Sequence, residues 1–284
     1  MEAQFPSLSV AIPNTSLIDS KSLLDKSLRV AQFARAISIF RVEKVYIYND
    51  ISTIARQDDF KLITLLLEYL DTPQYLRRLL YPKMKLLQFT GILPPVQSPH
   101  HKTFMRASEV RGGESRVGVL LRNRGSWVVD VGLDRTIPFV GQNKTPRKAN
   151  FKLSIRKGQV IAEEIYGKVG DNEYWGYHVI SVHTLSEIQR RFQDVKFLIT
   201  SKRGKSVSLI MPSIANKFKD TSEVVLTFGS PRLDVWKMVD GTDRNLVNSS
   251  IAVNMFPFQG TRSVRLEEAL LGSLAIFNSI LALR

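Results

Sequence analysis

The feature that most constrains the fold is a block of strand-type sequence enclosed by segments that alternate strands and helices. Residues 91–175 carry short alternating apolar runs separated by glycines, and proline-containing breakers stand at the start of the block. The strands predicted in it are residues 116–121, 126–131, 136–140, 151–155 and 160–165. Five short strands with glycine turns are typical of a small β-barrel or sandwich.

The flanking segments predict an α/β sheet. Before the block we expect strands at 8–12 and 44–48 and helices at 20–40, 61–70 and 74–81. After it we expect strands at 179–182, 196–200, 224–228 and 251–255, with helices at 185–192 and 264–283. This alternation predicts strands covered by helices. The sequence therefore predicts an N-terminal α/β part at 1–90, an inserted β-barrel at 91–175 and a C-terminal α/β part at 176–284.

Composition excludes several classes of protein. The chain has no cysteine, which excludes disulfide frameworks and cysteine-based metal sites and leads us to expect a cytoplasmic protein. No basic stretch precedes a long apolar run at the N-terminus, so we expect no signal peptide. The most apolar run, 269–283, is short for a membrane span and is interrupted by Ser273, Asn278 and Ser279. We therefore predict a core helix there and no membrane association.

The charge balance favours a polyanionic partner. The formal net charge is +14, and residues 142–162 contain no acidic side chain. Such a run is either a solvated surface or a nucleic-acid contact, and we favour the contact. The predicted RNA-binding residues are Lys144, Arg147, Lys148, Lys152, Arg156 and Lys157. Five strands with a basic face also fit an OB-fold, in which Trp127, Phe139 and Phe151 are either base-stacking residues or barrel core.

Several catalytic motifs are absent. Gly204-Lys205-Ser206 resembles the end of a P-loop, but Ile199 occupies the position where that motif needs its first glycine. We therefore reject a nucleotide hydrolase. The chain has no G-x-G-x-x-G motif, which argues against an ordinary dinucleotide-binding fold. His100 and His101 are adjacent and have no evident third ligand, so we predict no metal site.

Three junctions between a predicted strand and a loop fall in the last third of the chain. They are residues 200–204, 228–232 and 254–262. Each follows a strand, and open α/β sheets bind ligands at the carboxyl ends of their strands. The glycines in these junctions permit close approach of the backbone to a ligand. The junctions are either ordinary turns or the parts of one ligand site.

The same junctions carry a family resemblance. The C-terminal signatures are Thr200-Ser201-x-Arg203-Gly204, Phe228-Gly229-Ser230 and the segment 254–269, which contains Gln259-Gly260-Thr261-Arg262-Ser263-x-Arg265-x-Glu267-Glu268. Residues 8–13, 32–36, 39–40, 74–77, 87–89, 98–101 and 174–177 add to the match along nearly the whole chain. These segments resemble the SPOUT RNA methyltransferases, in particular the archaeal and eukaryotic branch that has an OB-fold inserted in its knot domain.

The resemblance implies a fold, a cofactor and a substrate. The fold is an α/β trefoil knot with an inserted OB-like barrel, assembled as a homodimer with the cofactor site at or near the subunit interface. The cofactor is S-adenosylmethionine, and the substrate is a base in RNA, with ribosomal RNA favoured over transfer RNA and uridine as a plausible acceptor. The implied cofactor-binding residues are Thr200, Arg203, Gly204, Phe228, Gly229, Ser230, Asn254, Met255, Phe256, Gln259, Gly260, Thr261 and Arg262.

Methyl transfer needs an aligned acceptor and, for a ring nitrogen, removal of a proton. Arginines suit alignment, and Arg35, which falls on the apolar face of the first helix, and Arg262 are our candidates, with Arg203 beside them. Three roles are open for Glu267 and its neighbour Glu268: accepting a proton, holding an arginine, or stabilising the start of the last helix. The alternative function is a non-catalytic RNA-binding or ribosome-assembly factor that keeps the knot fold, and cofactor binding distinguishes the two.

Overall fold

A computed structural model gives the structure of the protein, and it describes residues 6–52, 57–166, 169, 173–218 and 220–281. The chain divides into two compact units. The first comprises Met1–Leu70, Lys85–Val96 and Gly176–Arg284, and the second comprises Asp71–Met84 and Gln97–Trp175. Across the described residues, every helix is too short or too polar to cross a membrane.

The first unit is built on a six-stranded sheet in which every neighbouring pair is parallel. Its strands are β1 (Ser7–Pro13), β2 (Lys44–Tyr48), β8 (His178–Val182), β9 (Val195–Ser206), β10 (Glu223–Thr227) and β11 (Ile251–Asn254). Their order across the sheet is β11-β9-β10-β1-β2-β8. Parallel sheets are covered on both faces, so their strands are apolar almost throughout. Strand β10 follows this rule, since all of its residues are buried.

The α-helices are α1 (Leu23–Ile39), α2 (Gln57–Asp71), α3 (Gln74–Leu80), α4 (Leu185–Arg191), α5 (Val207–Lys217), α6 (Val235–Met238), α7 (Gly241–Ser249) and α8 (Leu266–Leu281), with 3₁₀ turns at Lys85–Leu87, Thr90–Ile92 and Ala107–Glu109. Helix α1 begins where the Ser22 hydroxyl accepts from the backbone N–H of Asp25 at 3.0 Å. It packs against α8. The predicted end of the last helix, at 283, lies outside the described residues.

Strand β9 corrects the first predicted junction. The sequence predicts a strand at 196–200 followed by a loop, and this is wrong because β9 continues to Ser206. Ile199 pairs with Ala252 of β11, and the next pair joins Lys205 to Val253. Residues 200–204 therefore have no pairing partner on β11 and form a bulge between the two paired parts of β9. Pairing with a strand about fifty residues away decides this end, and local sequence does not report it.

The second unit contains a closed five-stranded barrel, which confirms the predicted small barrel. Its strands are β3 (Ser115–Asn123), β4 (Ser126–Asp130), β5 (Ile137–Val140), β6 (Arg147–Arg156) and β7 (Gln159–Glu164), in the closed order β3-β4-β5-β7-β6. All neighbouring pairs are antiparallel except β5 and β7. Phe151 is fully buried inside the barrel and meets Phe139 edge to face, with ring centroids 6.2 Å apart. Phe151 is therefore barrel core, whereas Phe139 and Trp127 are half-buried at its boundary.

Candidate functional site

A cleft of about 300 Å³ opens beside residues 200–202 of β9 and the carboxyl ends of β10 and β11. These three strands are neighbours in the sheet, so the three predicted junctions converge on one place. Helix α8 closes the other side. The lining residues are Thr200, Ser201, Lys202, Phe228, Gly229, Ser230, Pro231, Arg232, Leu233, Asp234, Asn254, Met255, Phe256, Gln259, Arg262, Ser263, Val264, Leu266, Ala269 and Ser273.

The loop after β10 is a closed turn. A Cβ on Gly229 would lie 2.5 Å from the carbonyl oxygen of Leu233, so only glycine fits there. The N–H of Ser230 donates to that same oxygen at 3.0 Å, and the Ser230 hydroxyl accepts from the N–H of Leu233 at 3.0 Å. The Tyr48 hydroxyl donates to the Phe228 carbonyl at 2.7 Å. Burial raises the pKa of Tyr48, which keeps its proton available for that bond.

The ends of β9 and β11 are tied together. The Asn254 side chain donates to the Lys202 carbonyl at 3.3 Å and accepts from the Phe256 N–H at 3.0 Å. Thr200 fastens β9 to β10, since its hydroxyl donates to the Thr227 carbonyl at 2.9 Å. Gly204 packs directly on the backbone of Val253, where an added Cβ would approach within 2.5 Å. The wall of the cleft is therefore fixed by backbone contacts.

Helix α8 brings a buried hydroxyl to the cleft. The ring of Phe256 lies against Gly272, where a Cβ would meet ring carbons at 2.5 Å, so helix and loop approach closely. The next residue, Ser273, lines the cleft and is fully buried. Its hydroxyl has no hydrogen-bond partner among the described residues. Buried polar atoms are normally paired, so a ligand in the cleft is the natural partner for this one.

The cleft is electropositive at its rim. Its lining includes three exposed or half-exposed cations, Lys202, Arg232 and Arg262, and a single carboxylate, Asp234. The Ser201 hydroxyl donates to Asp234 at 3.0 Å, and the Arg203 Nε lies 3.6 Å from the same carboxylate. Such a balance favours an anionic ligand at the rim and leaves one negative charge inside.

The predicted cofactor-binding residues separate into two sets. Those that line the cleft are Thr200, Phe228, Gly229, Ser230, Asn254, Met255, Phe256, Gln259 and Arg262. Those outside the lining are Arg203, Gly204, Gly260 and Thr261. Sequence reasoning missed Asp234, Ala269 and Ser273. The sequence contained a signal for Ala269 and Ser273, because these two small residues lie one helical turn apart and Ser273 interrupts an otherwise apolar helix.

The three predicted catalytic residues lie in different places. Arg262 lines the cleft. Arg35 does not, and its guanidinium donates to the carbonyls of Pro95 at 3.1 Å and Val96 at 2.9 Å. Glu267 is largely buried on α8, and its Oε1 lies 3.5 Å from the Nε of Arg29 on α1. Within one chain, Glu267 therefore holds an arginine, and the catalytic roles of Arg35 and Glu267 stay predictions.

The predicted RNA-binding residues lie on β6 and the turns at its ends. Two of them are paired with carboxylates of β7, Arg147 with Glu164 and Arg156 with Glu163. Lys148 donates to the Thr72 hydroxyl at 3.4 Å. All four lysines of the set, Lys144, Lys148, Lys152 and Lys157, are exposed. The neighbouring strand thus supplies acids that the run itself lacks, and the lysines are the cations of the set that are not paired with those acids.

The adjacent histidines serve packing in the second unit. The Nε2 atoms of His100 and His101 lie 2.8 and 2.9 Å from the carbonyl oxygen of Asp71. Burial, and then the neighbouring His100, lower the pKa of His101 to about 4. No group of three potential metal ligands is found within the described part of the chain. The two imidazoles therefore anchor one backbone carbonyl.

Comparisons with known proteins show the family of the chain. The sequence model of a family described as "Putative RNA methyltransferase" matches residues 7–277. A relative from Mus musculus is 31% identical over 94% of this chain and 75% of its own length, and one from Homo sapiens is 29% identical over 94% and 77%. A relative from Drosophila melanogaster is 27% identical, and the matched region spans 61% of its length. All three are named 28S rRNA (uridine-N(3))-methyltransferase.

Proposed function

We propose that this chain, which belongs to the RNA methyltransferase family, transfers the methyl group of S-adenosylmethionine to N3 of a uridine in large-subunit ribosomal RNA. The observation that supports the site is one cleft formed by residues 200–202 of β9 and the ends of β10 and β11, with the buried, unpartnered hydroxyl of Ser273 in its lining. The names of the mouse, human and fly relatives support the substrate.

The residues present fit such a cofactor. When bound, it supplies an activated methyl group on a positively charged sulfur. The Ser273 hydroxyl and the backbone at Gly229 would offer polar partners for its adenosine and amino-acid groups. Asp234 places a negative charge in the cleft, which offsets the sulfonium, and Arg232 or Lys202 suits the cofactor carboxylate. The lining therefore matches both charges and the polar edges of the donor.

The acceptor chemistry asks little of the protein. The bound donor would supply its methyl group to the uridine N3, and the N3 proton would pass to a water molecule at the mouth of the cleft. N3 lies between two carbonyl groups, so its proton is weakly acidic and is lost more easily than that of an ordinary amide. The main task of the side chains is thus to hold the base in line with the donor and away from bulk water. Arg262 is exposed at the rim, where it suits a phosphate of the RNA.

The finer fold assignments belong to the same proposal. Across the barrel, β6 lies beside β3, followed by β4 and β5, which is the Greek-key order. A five-stranded Greek-key barrel supports an OB-fold, whose faces bind oligonucleotides. The trefoil knot that the family resemblance implies for the parallel sheet is part of the same proposal.

A homodimer is also part of the proposal. Leu24 and Leu28 on α1 and Leu271 on α8 are exposed by 36%, 38% and 47%, and these two helices pack together. Leucines at i and i+4 lie on one face of a helix, so this pair of helices presents apolar surface that a second copy would cover. A second copy would also supply its own α1, which carries Arg35. Sedimentation of the wild-type protein tests this assembly.

The function is tested by cofactor binding and by methylation together. Titration calorimetry measures S-adenosylmethionine binding to the wild type, to Ala269→Phe, which fills the cleft from α8, and to Asn278→Phe, a matched change on the exposed side of the same helix. Methylation of an in vitro transcript of large-subunit ribosomal RNA is followed by tritium transfer. A methyl group on N3 blocks base pairing, so reverse transcription locates it as a stop.

We expect wild type and Asn278→Phe to bind and to methylate, and Ala269→Phe to do neither. If wild type binds RNA but no cofactor, the chain is instead a non-catalytic RNA-binding or ribosome-assembly factor. If tritium is transferred without a reverse-transcription stop, the enzyme is a methyltransferase with a different acceptor atom.

A further inference from the structure

The loop between β11 and α8 exposes an aromatic ring beside the cleft. Phe258 is 96% exposed, more than any other large apolar side chain among the described residues. Its neighbours Phe256 and Gln259 both line the cleft. Burial of a phenyl ring is favourable, so the folded chain gains nothing by holding this ring in water. A ligand that covers the ring would recover that stabilisation.

The loop presents this ring on a braced turn. The N–H of Gln259 donates to the carbonyl of Phe256 at 3.2 Å, which closes a turn with Pro257 and Phe258 at its centre. Proline fixes the backbone at the first central position of such turns. The Gln259 side chain donates to the carbonyl of Thr261 at 2.9 Å and so braces the following residues. The backbone that carries the ring is therefore ordered before any ligand arrives.

The surroundings of the ring favour RNA over another protein surface. Gly260, Thr261 and Arg262 follow it and are all exposed, and Arg232 is exposed on the facing loop. Cations that alternate with an exposed aromatic ring are the pattern of single-stranded nucleic-acid binding, in which bases stack on the rings and cations hold the phosphates. Interfaces between proteins also favour Phe and Arg, but their buried cores are more apolar than the rest of the surface, whereas the exposed residues that follow Phe258 are small or polar.

We propose that Phe258 is a positioning residue that stacks on an unpaired base of the RNA substrate at the mouth of the cleft, with Arg262 on an adjacent phosphate. This inference rests on the proposed function, because it takes the cleft to be the site of methyl transfer. A base fixed on the ring sets the place of the next nucleotide along the strand. The ring thus positions the acceptor without taking part in the chemistry.

The experiment compares three substitutions of one side chain. RNA affinity is measured by fluorescence anisotropy with a labelled oligouridylate of about 12 nucleotides, and cofactor affinity by calorimetry. Phe258→Ala and Phe258→Leu should each weaken RNA binding by about 5- to 150-fold, since both lose the ring face, while Phe258→Trp should retain it. RNA should quench the indole introduced by Phe258→Trp. Cofactor affinity should not change in any of them, and Ile92→Ala, which removes another exposed side chain, should leave both affinities unchanged.

Each outcome decides a separate point. Wild-type RNA affinity in Phe258→Ala overturns the inference and leaves the proposed function standing. A change in sedimentation of Phe258→Ala with unchanged RNA affinity also overturns it, because the ring would then lie between copies of the chain. If wild type binds no cofactor, the proposed function fails, while the anisotropy series without cofactor still decides whether the ring holds RNA.

Discussion

The contact between Gly204 and Val253 gives the sharpest test of how the cleft is built. A Cβ at Gly204 would lie 2.5 Å from the backbone nitrogen and carbonyl carbon of Val253, well inside the 3.4 Å of ordinary contact. The neighbour is backbone, so it cannot rotate away as a flexible side chain could. Gly204→Ala therefore has to separate β9 from β11 by nearly an ångström at this point.

Two consequences follow with different magnitudes. Overpacking of this kind costs about 1–3 kcal/mol of folding free energy, which corresponds to a fall in melting temperature of about 2–4 °C for each kcal/mol. The displaced strand β11 leads directly into Asn254 and Met255 of the cleft. A misplacement of about 1 Å in a site of this kind can cost about 100-fold in function, so we expect cofactor affinity to fall by at least about tenfold.

Thermal unfolding and titration calorimetry with S-adenosylmethionine measure both quantities, and Gly260→Ala is the matched control. No heavy atom lies within 4 Å of a Cβ added at Gly260, so this variant should keep the wild-type affinity and melt within about 1–2 °C of wild type. Wild-type stability and affinity in Gly204→Ala would refute the described contact. Loss of affinity in Gly260→Ala would show that Gly260 touches the cofactor, as the family resemblance implies and the cleft lining does not.

Three further predictions concern single side chains. Ser273→Val should weaken cofactor binding by about 2- to 10-fold in calorimetry, because the variant removes the buried hydroxyl that faces the cleft, and an unchanged affinity would mean that the hydroxyl meets no ligand. His101 has a folded pKa of about 4, below its ordinary value of 6.5, so the unfolded chain takes up the proton first and stability is lost as the pH falls from 6.5 towards 4. Urea titrations should show this loss as about 2 kcal/mol between about pH 7.5 and about pH 5, and His101→Gln should abolish that share, so an equal pH dependence in the variant contradicts the prediction. Asp243→Ala should cost about 2–4 kcal/mol in the same titrations, because the Asp243 carboxylate accepts from the N–H groups of Leu185 and Ser186 at 2.7 and 2.8 Å, and a loss below about 0.5 kcal/mol would show that these bonds add little.

The sequence predicted the parts of the fold that local patterns determine. The alternation of strands and helices and the glycine-punctuated barrel strands are such patterns, and both the parallel sheet and the five-stranded barrel are confirmed. The first helix was predicted at 20–40 and is present, but it begins at Leu23, where the Ser22 hydroxyl accepts from the Asp25 N–H. RNA methyltransferase activity, predicted from the family resemblance, is confirmed by the family to which the chain belongs.

The features that the sequence did not predict depend mainly on contacts between residues that are distant in the chain. Helix α5 was not predicted, because it follows directly on Ser206 and contains Pro212, which reads locally as a breaker. The acids that pair with Arg147 and Arg156 lie on the next strand, outside the run of basic residues from which RNA binding was predicted. In the sequence, Ser273 is only a polar interruption of an apolar helix. Its place in the cleft depends on how the helix packs beside β9, β10 and β11, which the sequence does not report.

Under the function and the stacking role that we propose, the loop after β11 meets both of the demands that methyl transfer to RNA places on a protein. A donor site needs a fixed wall, and the first part of the loop supplies one, because Asn254 is bonded to Lys202 and Phe256 is wedged on Gly272. An acceptor site needs groups that remain accessible to a large substrate. In the second part of the loop, Phe258 and the residues Gly260 to Arg262 are exposed. Because both parts share one backbone only a few residues long, a base that stacks on the exposed part is held at a set distance from the wall. The distance between donor and acceptor is then fixed by the covalent chain itself, which is the positioning that a reaction with an already activated methyl group requires.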